Sequence, residues 1–253
     1  MIVSTHALLG LLGVSFCAGF IDSIAGGGGL LMVPSLLLAG LPPHLALGTN
    51  KLNSTLGTSV AVWNFYRKGK LLLPLILIGI GFTLCGGWIG SQLALSLSSI
   101  LLAKVLVFML PIGMAALFLK RSDTKAFTSF KKKDKWLKIP LICFSLGIYD
   151  GFFGPGTGSF LALSFYIVLR LGLVESTANA KIFNLASNLG ALMGFIVSGK
   201  VIYALGFPLA VMGMVGNYLG SHWVIKNGEK IVKKCLFGVL ILLMATLVVR
   251  YLL

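Results

Sequence analysis

Charge is scarce in this sequence, acidic charge above all, with 6 Asp and Glu against 21 Lys and Arg. Only 11% of its 253 residues are charged, against about 25% in a soluble domain. That shortage, with 57% hydrophobic residues and a mean hydropathy of +1.00, excludes an ordinary water-soluble globule and equally a disordered chain. Alternation of apolar and polar residues is also missing, which argues against a membrane barrel, whose strands need it. Cysteines are few: Cys17, Cys85, Cys143 and Cys235 stand at irregular spacing in apolar runs. They read as small buried hydrophobes and not as a disulfide or metal set. His6, His44 and His222 are isolated near segment boundaries. No Ser/His pairing, His-Glu-x-x-His or carboxylate cluster points to an enzyme, and no cofactor or metal is expected. The N-terminal run has neither a basic n-region nor an A-x-A site, so it reads as a retained helix and not as a signal peptide.

What is present is ten apolar segments: 6–24, 29–41, 45–66, 71–94, 100–119, 139–153, 157–171, 176–198, 201–225 and 232–252. At roughly 20 residues per span, this predicts an all-α integral membrane protein of about ten helices. The second, sixth and seventh segments are short for a ~30 Å hydrocarbon core and are expected to be short or re-entrant. Residues 120–138 form the one linker, with eight Lys and Arg between Lys120 and Lys138. The chain thus divides into a first membrane half (1–119), a basic linker (120–138) and a second membrane half (139–253).

The formal charge of +15 follows from positive-inside topology; nothing else in the sequence supports nucleic-acid binding. With the linker in the cytoplasm, Arg67, Lys68, Lys70 and Arg170 fall inside, as do Lys226, Lys230, Lys233 and Lys234. Of the 21 basic residues, 16 are then inside and only Lys200 and Arg250 outside. The expected orientation is N-terminus and C-terminus outside. Trp63, Tyr66, Trp136 and Trp223 read as anchors at cytoplasmic edges.

The halves repeat one another. Gly19-Phe20-Ile21-Asp22 and Gly26-x-Gly28 recur as Gly147-Ile148-Tyr149-Asp150 and Gly154-x-Gly156. Lys51, Ala61, Phe65, Gly69 and Lys70 recur as Lys181, Ala191, Phe195, Gly199 and Lys200. One half starts outside and the other inside, so the copies are inverted, with glycine-rich breaks at matching places. That pattern points to a secondary transporter.

Four ionisable residues, Asp22, Lys51, Asp150 and Lys181, lie inside apolar segments, and neither lysine is close enough to an end to snorkel easily. Such residues are expensive in a bilayer and are functional candidates. Lys51 and Lys181 would contact a substrate, or form internal ion pairs, Lys51 with Asp22 and Lys181 with Asp150. Asp22 and Asp150 would hold the lysines, couple protons, or cap the helix after each glycine turn. Lys104, near an outer boundary, would snorkel. Gly28 and Gly29, and Gly156, Thr157, Gly158 and Ser159, would open helices whose free N–H groups attract an anion, with the Thr157 and Ser159 hydroxyls as added donors. Asn50, Asn53, Ser54, Asn179, Asn184 and Asn188 flank the lysines and would contact substrate oxygens or join helices. Gly79, Gly81, Gly86, Gly87, Gly90, Gly213, Gly216 and Gly220 read as close-packing positions. Two helix starts meeting at mid-depth beside two lysines would form a site for a small anion at the interface of the halves.

These residues carry a resemblance. The stretch GFIDSIAGGGG over 19–29, with Pro34, Pro42, Pro43 and ALGTNK over 46–51, resembles the first repeat of the sulfite exporter TauE/SafE family. GIYDGFFGPGTGSF over 147–160 and ANAK over 178–181 resemble its second. The resemblance implies a bacterial-type plasma-membrane transporter of sulfur oxyanions or organosulfonates, such as sulfite, thiosulfate or sulfoacetate. It also supports Asp22, Lys51, Asp150 and Lys181 as the residues to test. The expected mechanism is alternating access around the anion site, and the alternatives are an anion channel on the same repeat or a transporter of another small anion such as a carboxylate.

Overall fold

A computed structural model describes residues 5–106 and 134–227. The expected tenth segment, Cys235 and most of the basic linker lie outside these residues. The described residues form helices and no strand. The first half runs α1 (Thr5–Ala25), α2 (Gly28–Leu38), α3 (Pro43–Arg67) and α4 (Leu73–Ser96), then α5, helical over 99–106. A π-turn at Asp134–Lys138 leads into α6 (Ile139–Phe152), followed by α7 (Thr157–Val168), α8 (Leu173–Val197) and α9 (Tyr203–Asn227).

Prolines mark several starts. Pro43 is the first residue of α3, and Pro74 and Pro140 are the second of α4 and α6, where a missing N–H does no harm. The predicted short segments are short. The 11, 14 and 12 residues of α2, α6 and α7 reach only about 17–21 Å at ~1.5 Å per residue. Helices α1, α4 and α8 are long and apolar enough to cross a bilayer. Helices α3 and α9 have 25 residues each, enough for about 37 Å.

The helices sort into two four-helix bundles, and each bundle exchanges its last member. Helix α9 packs on α1 and α3, which also hold α2; α4 packs on α6 and α8, and α7 on α8. The third helix of each bundle receives the newcomer with a side chain. Thr49 Oγ1 on α3 accepts the N–H of Ile202 just before α9 at 3.1 Å. Asn179 Oδ1 on α8 accepts the N–H of Leu72 just before α4 at 2.9 Å. Asn179 therefore joins helices.

Inside each bundle, small residues let backbones touch. A Cβ on Gly216 would strike the carbonyl of Phe16, one on Gly86 that of Phe144, and one on Gly87 that of Ser187. Gly79, Gly90, Gly213 and Gly220 are equally crowded, as packing glycines should be. Gly81 is not, since nothing lies within 4 Å of its Cβ direction. It faces outward, and so do the exposed Cys17 and Cys85; of the cysteines described, only Cys143 is buried. The outer face of a membrane helix is as apolar as its inner face, so apolarity does not tell the two sides apart.

The distribution of polarity is the reverse of a soluble protein's. Leu77, Ile100 and Val197 are more than 70% exposed, while Ser15, Thr49, Lys51, Thr83, Asn188 and Ser221 are buried. A lipid-facing exterior accounts for this. Trp63 and Trp136 stand exposed, as anchors would. Trp223 is half-buried and lies against Phe20 at a ring separation of 6.0 Å.

Candidate functional site

The seam between the bundles begins where two helices break. Helix α1 ends at Ala25 and α2 starts at Gly28, with Gly26 in the left-handed region at φ 75°. Helix α6 ends at Phe152 and α7 starts at Thr157, with Gly154 at φ 90° and Gly156 at φ 85°. The two breaks meet. A Cβ on Gly26 would collide with the backbone of Gly158 and Ser159, and one on Gly29 would come within 3.2 Å of Pro155 Cα. Only glycine combines a positive φ with so close an approach.

The second break is tied by its own side chains. Thr157 Oγ1 donates to the Gly154 carbonyl at 2.7 Å and Tyr149 OH to that of Pro155 at 2.8 Å. Ser159 Oγ donates across the seam to the carbonyl of Ala25. The Thr157 and Ser159 hydroxyls therefore hold the turn and the seam. Where the sequence offers them as donors to a ligand, each here donates to a backbone carbonyl at a break. At the first break the carboxylate does the capping. Asp22 Oδ1 accepts the N–H of Gly28 at 3.3 Å.

Beside these breaks sit the two lysines, each 1% exposed. The Nζ of Lys51, on α3, lies 3.0 Å from Asp150 Oδ2 on α6 and donates to Asn188 Oδ1 on α8 at 2.9 Å. The Nζ of Lys181, on α8, donates to Asp22 Oδ2 on α1 at 2.9 Å. Thr58 Oγ1 adds a longer donation to the same oxygen, at 3.4 Å. The ion pairs form, but not within the halves: each lysine takes the other half's aspartate. Helix α3 packs on α8 along the seam, which brings each lysine within reach of the opposite break. Both pairs therefore bridge one bundle to the other.

A small cavity lies at this junction, walled by Asp22, Gly26, Gly29, Asn50, Lys51, Ser54, Asp150, Gly154, Asn184 and Asn188. Its volume is about 10 Å³, room for about one water and no more. A second cavity shares Asp22, Asn50 and Ser54 and extends into the first bundle past Gly28, Asn53, Gly213 and Asn217. The structure thus gathers Asp22, Gly29, Asn50, Lys51, Asp150 and Asn184 around one space, puts Lys181 at its wall through Asp22, and places Gly28 and Asn53 in the adjoining one. Gly156, Thr157, Gly158 and Ser159 line neither. Asn217, a lone amide in the apolar run of α9, is a lining residue that sequence reasoning missed; a polar side chain isolated in a membrane helix was the available signal. Lys104 is exposed and far from this chemistry in kind, pairing with nothing in the seam.

An apolar exterior around a charged, hydrogen-bonded seam defines an all-helical integral membrane protein. Comparison with known proteins agrees. The sequence profile described as sulfite exporter TauE/SafE matches residues 11–247. The chain is 38% identical over 229 residues to the probable membrane transporter protein YfcA of Escherichia coli (strain K12), covering 89% of this chain and 84% of that protein. It is 35% identical over 235 residues to the probable membrane transporter protein ORF9 of Sinorhizobium sp, covering 91% and 88%. It is 25% identical over 239 residues to the probable membrane transporter protein YdhB of Bacillus subtilis (strain 168), covering 94% and 95%. No solved structure matches significantly. The chain belongs to the sulfite exporter TauE/SafE family, and it is a membrane transporter by kind.

Proposed function

We propose that this protein moves a small sulfur-containing anion, such as sulfite, thiosulfate or an organosulfonate, across the plasma membrane by alternating access. The observation that carries the reading is the pair of buried Lys–Asp contacts that cross the seam. An anion arriving at Lys51 or Lys181 would take over from a carboxylate as the ammonium's partner. Because each pair ties one bundle to the other, the exchange would also loosen the tie. Binding and bundle movement then share one chemical event, and the inverted halves would rock about the seam. The junction cavity is too small for an oxyanion of several heavy atoms, so entry needs the seam to open.

Outward movement needs no elaborate motor. Carrying one negative charge outward across ~100 mV, inside negative, is favoured by about 2.3 kcal/mol. Asp22 and Asp150, released from the lysines, could take up protons as the anion binds. The orientation fitted by the basic residues has both termini outside and the linker in the cytoplasm. Cysteines placed at Lys125 and Lys200 should then be labelled from opposite faces, and labelling from one face would refute the orientation.

The functional test is flux in proteoliposomes loaded with sulfite, sulfate, thiosulfate, sulfoacetate or a carboxylate. Saturable, slow flux of a sulfur anion, lost in Lys51→Ala, supports the reading. Unitary currents in a planar bilayer would favour the channel alternative. Flux confined to carboxylates would move the substrate class.

A further inference from the structure

We infer that Asp150 is a proton-binding site worked by Lys51: each anion that takes Lys51 is accompanied by one proton on Asp150, while the Lys181–Asp22 pair stays closed. The anion half of this statement rests on the reading above; the proton site itself does not.

The two aspartates are held in unequal ways. Asp150 is 1% exposed, and among the described residues its one ionic partner is Lys51, 3.0 Å from Oδ2. That oxygen has no hydrogen-bond partner. Asp22 is 15% exposed. Lys181 donates to its Oδ2 at 2.9 Å, Thr58 to the same oxygen at 3.4 Å, and the Gly28 N–H to Oδ1 at 3.3 Å. If Lys181 left, Asp22 would keep two donors and some solvent. If Lys51 left, Asp150 would keep neither. A buried carboxylate stripped of its counter-charge takes a proton rather than stay charged. The lysines differ as well. Lys51 lines the junction cavity together with Asp150, and Lys181 lines neither cavity. The pair that opens to a ligand is therefore Lys51–Asp150.

Among the described residues no other cation stands ready to replace Lys51. Helix α8 carries Lys181, engaged by Asp22, and Glu175, which accepts the Gly172 N–H at the start of the helix. Helix α4 has no charged residue, and its Cys85 is exposed. Helix α7 has none either, and its Tyr166 lies nine residues past Thr157. On α6 itself, Tyr149 donates to the Pro155 carbonyl and Cys143 lies seven residues before Asp150. The π-turn carries Asp134, Lys135 and Lys138, at least twelve residues before it. Asp22 of α1, across the junction cavity, adds a negative charge that Lys181 already balances.

The exchange balances in charge and atoms. The anion takes the Lys51 ammonium, and one proton from solvent forms an O–H bond on the Asp150 carboxylate. Both leave when Lys51 returns to Asp150. Proton and anion therefore strengthen each other's binding by equal factors. The proton also sets how much charge moves. Doubly charged thiosulfate with one proton carries one net negative charge, so the membrane voltage still favours its exit. A singly charged organosulfonate with one proton carries none, and voltage does not drive it.

The test is proton uptake by the purified full-length protein in weak buffer on addition of thiosulfate, whose charge is constant across the neutral range. The inference expects about one proton per anion bound, and an affinity that falls by up to about tenfold per unit rise in pH. Asp150→Asn should lose both the uptake and the pH dependence. Asp22→Asn, whatever its affinity, should keep one proton per anion. Binding without proton uptake in the wild type, or uptake that survives in Asp150→Asn, would overturn the inference. A second measurement needs no anion. At neutral pH, infrared spectra of Lys51→Met should show the carbonyl stretch of a protonated carboxyl group, shifted in heavy water. The band should be absent from the wild type, from Lys181→Met and from Lys51→Met/Asp150→Asn. Monodisperse elution shows that each variant is folded, and Lys51→Gln serves where Lys51→Met is not. If no sulfur anion binds, that band upholds the proton site and defeats the anion reading alone, whereas its absence overturns the proton site.

Discussion

The two bundles share a plan and differ in what they do with it. Each has a broken helix, a buried lysine on its third helix and a fourth helix borrowed from the other half. Yet Asp150 is 1% exposed and is held against Lys51. Asp22 is 15% exposed and is supported by Lys181, Gly28 and Thr58. Around Asp22 the first bundle keeps the amide side chains of Asn50, Asn53 and Asn217 and an internal space. A common scaffold fixes where the charges stand, and local side chains decide what each charge meets. The comparison also separates two kinds of contact. Glycines let backbones touch within each bundle and where the two breaks meet, and ion pairs join one bundle to the other.

The sharpest way to break this contrast is to remove the lysines one at a time. Lys51→Ala leaves Asp150 buried without a counter-charge, and losing one partner of such a pair costs about 3–5 kcal/mol. Lys181→Ala should cost less, because Asp22 retains two donors and some solvent. Thermal unfolding in detergent should rank Lys51→Ala as the less stable variant, with Asp150→Asn recovering part of the loss. Equal losses would mean the aspartates are equivalent. Next in size is a crowded glycine. Gly216→Ala drives a methyl into the Phe16 carbonyl and should cost about 1–3 kcal/mol, whereas Gly81→Ala should be neutral or slightly favourable. If the two behave alike in the same melts, the assignment of α9 to the first bundle is wrong.

The crossing itself can be sharpened by double-mutant cycles. Lys51 with Asp150 should show coupling of about 0.5–3 kcal/mol, and Lys51 with Asp22 less. The reverse order would restore pairing within the halves. The smallest effect expected is that of Thr157→Val. Loss of its bond to Gly154 should cost about 1 kcal/mol of stability with little change in anion affinity. A large affinity loss at unchanged stability would return the hydroxyl to the ligand.

Much of this was legible in the sequence, because membrane helices announce themselves by length. Nine of the ten predicted segments coincide with helices or helix starts among the described residues, and the three short ones are α2, α6 and α7. The buried charges were legible too, since Lys51, Lys181, Asp22 and Asp150 interrupt apolar runs. What could not be read was partnership. The spacing of Lys51 from Asp22 along the chain carries no information about the exchange of α4 and α9 or the contact of α3 with α8. Donor direction was equally hidden. Thr157 and Ser159 are placed as ligand donors by sequence, but in the structure each hydroxyl donates to a backbone carbonyl at a break. Outward-facing Gly81, Cys17 and Cys85 escaped because lipid and core are equally apolar.

The central claim is that the crossed lysines of the seam bind a small anion, and calorimetric titration of purified protein with sulfite tests it most directly. Wild type and Lys104→Ala, whose lysine is exposed on α5, should bind saturably, and the charge-neutral pair Lys51→Ala/Asp150→Ala should bind at least about tenfold more weakly. Equal affinity in all three proteins would contradict the account.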